Sequence, residues 1–310
     1  MTSKSNLKQI AIIGLGLIGG SLAKALKEKG YKVTGITKSL KTIKLALKEK
    51  AITKGYTKLS PKSLENIDLI FICTPLHLIT NYLSKISGLK LKPGIIISDV
   101  GSTKSEICDY ADKHFLTNEP LTGRDKSRPY SFFIGGHPMA GTEKSGFSAA
   151  QKNLFKNCAW ILTPTAKDKK SITTIQTIIK KIGAKPVITT PEEHDEAVAL
   201  ISHLPLLASI GLCQTIKESY FRKLASTFAS SGFRDITRIA GGNPEMNSGL
   251  LTSNNSILQK LLPVYIKELK DILKMAKTKS KNLHKKLNLA SRWRNTLYNS
   301  KGENNFLKSR

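Results

Sequence analysis

The strongest constraint on this chain is Gly14-Leu15-Gly16-Leu17-Ile18-Gly19, set between an apolar run, Gln9–Ile13, and a helical run over 21–29 that Gly30 closes. G-x-G-x-x-G is weak as a bare pattern, but between a strand and a helix it marks the phosphate-binding turn of a βαβ unit. Gly14 permits the tight turn, Gly16 lets backbone approach a pyrophosphate, and Gly19 lets helix and strand pack closely. The N–H groups of Leu17 and Ile18 then open the helix towards phosphate oxygens. A glycine-rich turn without a ligand is the plainer alternative, and the clean flanks argue against it.

The second strand, 31–36, ends at Thr37-Lys38-Ser39. An NAD site usually carries Asp or Glu there to hold the ribose 2′-hydroxyl. Here a cation and two hydroxyls stand instead, with Lys41 and Thr42 beyond, a set that attracts a 2′-phosphate. NADP is therefore favoured over NAD, although Lys38 in so lysine-rich a chain also reads as solvated surface. Thr74 and Gly101, each closing a later strand, complete the expected cofactor contacts.

Apolar runs at 68–74, 94–100, 158–164 and 186–190 read as further strands, with helical spacing at 76–86 and 172–182 between them. Thr103 and Glu106 form a capping-box pattern, as do Thr190 and Glu193 around Pro191. Alternating strands and helices imply an α/β Rossmann-type fold with a mostly parallel, doubly wound sheet. From 191 no strand is convincing. The expected organisation is a nucleotide-binding domain over 1–190, an all-helical substrate and dimerisation domain over 191–290, and a basic tail over 291–310. The polar stretch 118–129, with two prolines, reads as a surface loop.

With 310 residues and 40% apolar content the chain has room for two modest cores, and no apolar run is expected to reach the ~18 residues of a membrane span. The polar N-terminus lacks the apolar stretch of a signal peptide. Four widely spaced cysteines suit neither a metal nor a redox pattern, which fits a reducing, cytoplasmic setting. The net charge of +28 raises nucleic acid as a partner. Its lysines, however, spread through every segment without aromatic interleaving or a reading motif, so no nucleic-acid or membrane partner is expected.

His137 follows Phe132, Phe133, Ile134 and two glycines, and Pro138 stops the run. The imidazole is thus presented at the carboxyl end of a strand, the edge where open parallel sheets bind ligands. A structural histidine is the ordinary alternative. In the helical half, His203 before Leu204-Pro205 suits either substrate contact or a core histidine serving backbone groups freed by the proline. His194 and His203, nine apart, fall on opposite sides of a regular helix and share no metal.

Gly14–Gly19 together with Ser98-Asp99-Val100-Gly101-Ser102-Thr103-Lys104, Gly135-Gly136-His137-Pro138-Met139-Ala140-Gly141, Ser202-His203-Leu204-Pro205 and Gly232-Phe233-Arg234-Asp235-Ile236-Thr237-Arg238 resembles the prephenate/arogenate dehydrogenase family of tyrosine biosynthesis. Lacking an acidic residue after the second strand, the chain is most similar to the NADP-dependent arogenate dehydrogenases of cyanobacterial type. The resemblance covers about 8–275. It implies oxidation of a cyclohexadienol at C4 with loss of its ring carboxylate, His137 as proton acceptor, and Ser102 as the group that orients it and the substrate hydroxyl. It also implies Arg238 as the carboxylate clamp, Arg234, His203 and Thr142 near the substrate, and a homodimer through the helical half. Asp195, Glu193 and Glu245 are the carboxylates available to an amine-bearing substrate. A Rossmann dehydrogenase of the 3-hydroxyacid type would instead place a lysine in the second domain, and a non-catalytic NADP sensor would have no need of His137, Ser102 and Arg238 together.

Overall fold

The computed structural model describes residues 8–115, 132–142, 144–165, 168–298 and 304–307. The expected loop at 118–129 lies outside them, as does part of the basic tail. Eight strands form one sheet: β1 (Gln9–Ile13), β2 (Lys32–Ile36), β3 (Lys54–Tyr56), β4 (Leu69–Ile72), β5 (Ile96–Asp99), β6 (Phe132–Pro138), β7 (Ala159–Pro164) and β8 (Lys185–Ile188). Their order is β3-β2-β1-β4-β5-β6-β7-β8. The mostly parallel, doubly wound α/β expectation holds.

Helices α1 (Leu17–Glu28), α2 (Leu40–Lys48), α3 (Ile79–Ser87), α4 (Ser105–Phe115) and α5 (Lys169–Lys181) connect the strands. Both faces of the sheet are covered, so central strands such as Leu-Ile-Phe-Ile in β4 are apolar throughout and fully buried. One core contains Ile10, Ile12, Leu22, Phe71 and Trp160, and the other Ala11, Ile13, Ile70, Ile72 and Phe133.

Register sets the functional edge. Ile13 pairs with Ile36 and Ile72, Ile72 with Asp99, and Ser98 with Ile134. The carboxyl ends of β1, β2, β4, β5 and β6 therefore lie along one rim, with Gly14, Thr37, Thr74, Gly101 and His137 just beyond or upon it. β7 departs from the parallel pattern: it runs antiparallel to β6, with Gly136 opposite Leu162 and His137 opposite Ile161. Among the described residues between β6 and β7 there is no helix that could carry the chain back across the sheet, only a short 3-10 turn, Phe147–Ala149.

After β8 come α6 (Pro191–Val198), a π-helical turn (Ala199–His203), α7 (Leu204–Lys217), α8 (Arg222–Phe228), α9 (Ser231–Thr237), a 3-10 turn (Arg238–Gly241) and α10 (Pro244–Ser253). α11 (Asn255–Lys277) and α12 (Lys281–Leu297) follow and pack on one another. By its contacts the chain divides into two compact units, Met1–Asn254 and Asn255–Arg310. α6 to α10 thus sit in the same unit as the sheet.

Two expectations need correction here. The helical run Pro191–Lys217 is continuous and holds an 18-residue stretch of mean hydropathy 1.7, so among the described residues one helix is long and apolar enough to cross a membrane by length and composition. The π turn immediately before Pro205 accommodates the missing N–H and the ring's clash with the preceding turn, so the run continues through the proline. The same turn overturns the placing of His194 and His203 on opposite sides. One extra residue in the turn rotates His203 back by about 100°, and both side chains are buried.

Candidate active site

The glycine turn has the geometry of a phosphate cradle. Gly14 has φ +94°, and a Cβ there would stand 2.4 Å from the Cys73 carbonyl oxygen. At Gly16 a Cβ would meet nothing within 4 Å, so the backbone is open on that side. No side chain caps the start of α1, which leaves the Leu17 and Ile18 end of the helix available to an anion. Thr74 Oγ1 is buried at the end of β4, beside Gly14, with no hydrogen-bond partner among the described residues. These features fit the diphosphate of a dinucleotide. At the end of β2, Ser39 caps α2 by accepting from Thr42 N, and no acidic residue occupies that first turn. Lys38 is exposed alongside.

The other half of the rim is built around a buried ion pair. Asp99, the last residue of β5, accepts from Gly101 N through Oδ2 at 2.7 Å and from Gly136 N through Oδ1 at 3.0 Å. Lys104 completes its coordination and also donates to the Gly136 carbonyl at 3.0 Å. Gly136 is required by this crowding, since a Cβ there would lie 2.5 Å from the Asp99 carbonyl oxygen. The pair thus ties the β5 turn to the strand that carries His137.

The start of α4 is capped from 91 residues away. Asp195 Oδ1 accepts from Lys104 N at 2.7 Å, and its Oδ2 accepts from Ser105 N at 2.8 Å. The capping box expected of Thr103 and Glu106 is not among the bonds found at this helix start: α4 begins at Ser105, one residue later than a Thr103 cap requires, and Asp195 takes the N–H groups of Lys104 and Ser105 instead. Asp195 Oδ1 also lies 2.8 Å from His194 Nδ1, and His194 Nε2 lies 2.8 Å from His137 Nδ1. Burial would push the Asp195 carboxyl up, but the bonds from His194, Ser105 and Lys104 outweigh it and hold it below its ordinary value.

Burial, then the neighbouring His194, Lys104 and His203, push His137 well below the usual imidazole range, against a smaller opposing effect of Asp195. His137 is therefore neutral at physiological pH, with a lone pair available. His203 is 1% exposed, and its Nδ1 accepts from Asn254 Nδ2, which also donates to the Asp195 carbonyl. Burial pushes it down to about 4.

Ser102 follows β5 and makes no hydrogen bond among the described residues, while His137 Nδ1 lies 2.8 Å from His194 Nε2. Thr142 is exposed and accepts from Lys144 N. Arg234 is exposed on α9 and paired with Asp235 at 3.1 Å. Arg238 is exposed in the turn after α9, which packs on α7. Of the three carboxylates considered for an amine, Asp195 is engaged as above and Glu193 completes the Thr190 capping box. Glu245 is exposed, 3.9 Å from His77. Among the described residues no group of three or more His, Cys, Asp or Glu is placed to hold a metal ion. Sequence reasoning named His194 and Asp195 without seeing their link to His137, and it passed over Asn254; only tertiary distance shows these.

Residues 22–188 match the nucleotide-binding domain of prephenate dehydrogenase, and 190–289 match its dimerization domain. The chain belongs to the prephenate dehydrogenase family. This member is 35% identical over 267 residues to the prephenate dehydrogenase of Bacillus subtilis, covering 85% of this chain and 68% of that one. Its structure is similar to that of Synechocystis arogenate dehydrogenase, with TM-score 0.78 and 34% identity over 92% of this chain and 98% of the other. It is also similar to Aquifex aeolicus prephenate dehydrogenase solved with hydroxyphenyl propionate and NAD+, with TM-score 0.81 and 27% identity over 94% and 99% of the two chains.

Proposed function

We propose that the protein oxidises arogenate to tyrosine, or prephenate to 4-hydroxyphenylpyruvate, with NADP as cofactor. The observation that carries this is a neutral His137 at the rim of a dinucleotide-binding sheet, where a base must stand to take the proton of a substrate hydroxyl. The bound cofactor would supply the hydride acceptor, held by Gly14, Gly16, Leu17, Ile18, Gly19, Thr74 and Gly101. The absence of an acid at Thr37-Lys38-Ser39 supports NADP over NAD.

In this reading the C4 hydrogen leaves with its electron pair and the hydroxyl proton passes to His137. The ring carboxylate departs as CO₂, its bonding pair completes the aromatic ring, and the C4 carbonyl pair moves onto oxygen, which takes the proton back from His137 to give the phenol. Aromatisation drives the step, so the protein has only to position the substrate, accept a proton and hold anions. Ser102 orients the hydroxyl, while Arg238, aided by Arg234, clamps the ring carboxylate as a planar guanidinium does well. Thr142 and His203 complete the substrate's surroundings. Glu245, exposed beside His77, is the carboxylate that would meet an amine, a role that would favour arogenate.

Residues 191–290 would form the dimerisation half, and exposed Ile201, Phe221, Phe228 and Ile236 are the apolar surface for a second copy. Four free cysteines suit a cytoplasmic enzyme. The test is NADPH formation on adding arogenate or prephenate, with NAD in parallel. No turnover of either substrate with either cofactor removes the proposal, and preference for NAD removes its cofactor part.

A further inference from the structure

A carboxylate can only accept hydrogen bonds, so the bond between Asp195 Oδ1 and His194 Nδ1 requires the proton to sit on His194 Nδ1. A ring that holds its single proton there presents a lone pair at Nε2. The partner 2.8 Å from that atom is His137 Nδ1, which must then be the donor. A neutral His137 protonated on Nδ1 has its lone pair on Nε2. The order of these bonds therefore selects which nitrogen of His137 is basic.

We propose that His194 and Asp195 are positioning residues that fix the tautomer of His137, making Nε2 the proton-accepting atom. This deepens the reading of His137 as the base and rests on it. Three features make the arrangement more than incidental packing. Asp195 is anchored independently by the backbone of Lys104 and Ser105, so its carboxylate cannot turn away from His194. Asn254 holds the Asp195 carbonyl and, through the same amide nitrogen, His203 Nδ1, which fixes the π turn next to α6. The two imidazole rings stand at 67° with centroids 5.1 Å apart, an edge contact that leaves one ring nitrogen of His137 outside the chain of bonds. Charge from every side is accounted for: His194 and Asp195 on α6, His203 before α7, and Lys104 with Asp99 at the β5–α4 turn. Without the His194 acceptor, nothing in this set would choose between the two nitrogens.

The decisive measurement is ¹⁵N NMR of histidine-labelled wild-type protein near neutral pH. The expected spectrum has both His137 and His194 protonated on Nδ1 alone. A His137 protonated on Nε2, or a His194 protonated on both nitrogens, overturns the proposal. Two variants extend the test to turnover. His194→Leu should lower kcat by about tenfold to a hundredfold, part of what a general base is worth. KM and cofactor affinity should stay within about twofold. His194→Gln, whose amide oxygen can accept from His137 Nδ1, should recover most of that loss. An unchanged kcat in His194→Leu, a loss confined to KM, or no recovery with glutamine counts against the proposal. The spectrum stands apart from turnover: if His137→Asn keeps normal activity, the reading of His137 as base fails whichever tautomer is found.

Discussion

The ammonium of Lys104 and the carboxylate of Asp99 are bonded with neither side chain exposed to solvent. Two charges lose their hydration in such a pair, and only full coordination offsets that cost. Asp99 has it, with two backbone donors besides Lys104, and Lys104 adds the Gly136 carbonyl. Lys104→Met removes one partner and strands the other charge. The folded state should lose about 3–5 kcal/mol, read as a lower urea midpoint. A change under about 1 kcal/mol would show that the pair does not hold β5 to β6.

His137→Asn removes the base while leaving the glycine turn untouched. It should lower kcat by about 10²–10⁴ with cofactor affinity unchanged, measured by steady-state kinetics and cofactor titration. Turnover close to wild type would place the base elsewhere.

Cofactor choice turns on the end of β2. Thr37→Asp combined with Lys38→Ala introduces an acceptor for ribose hydroxyls and removes a cation from the 2′-phosphate. Each charge-assisted phosphate bond is worth about 1.5–3 kcal/mol, so the ratio of kcat/KM for NADP over NAD should fall by roughly tenfold to a hundredfold or more. An unaltered ratio would mean that these side chains do not contact the 2′ position.

Stability should fall on mild acidification. His137 and His203 both have folded-state values below the ordinary 6.5, His203 at about 4. Below pH 6.5 the unfolded chain therefore binds more protons than the folded one. The stability these groups contribute is complete above about pH 6.5 and is lost as pH drops towards 4, at up to about 1.4 kcal/mol per group for each pH unit. Asp68, Asp168 and Asp195, all lowered from 3.8, give way only at lower pH. Urea midpoints at pH 7.5, 5.5 and 4.5 should decline, and less steeply in His203→Gln. A flat profile would show that neither histidine is held neutral by the fold.

Legibility in the sequence followed the range of the forces. The Gly14–Gly19 turn and the Thr190–Glu193 box were readable because each is closed by residues within six positions of one another. β3 was not, since Lys54–Tyr56 is too short to show alternation. The reversal at β7 depends on the connection before it rather than on any residue within it. The cap of α4 and the bond between His137 and His194 join residues 91, 90 and 57 positions apart, which no local pattern encodes. The π turn is the intermediate case: Pro205 signalled a disturbance, but only packing decided that the helix would continue through it.

The reversal of β7 also bears on how such a protein can change. Links that return the chain between parallel strands must cross from one rim of the sheet to the other, and their lengths are tied to that crossing. The segment between His137 and β7 begins and ends on the same rim. Its latter part is anchored by Phe147 and Phe155, which are 4% and 0% exposed, whereas Gly141, Thr142 and residues 144–146 are exposed. Insertions or exchanges in that short stretch reshape the mouth of the site beside its histidine without rethreading a strand. Substrate range can drift there while the scaffold stays constant.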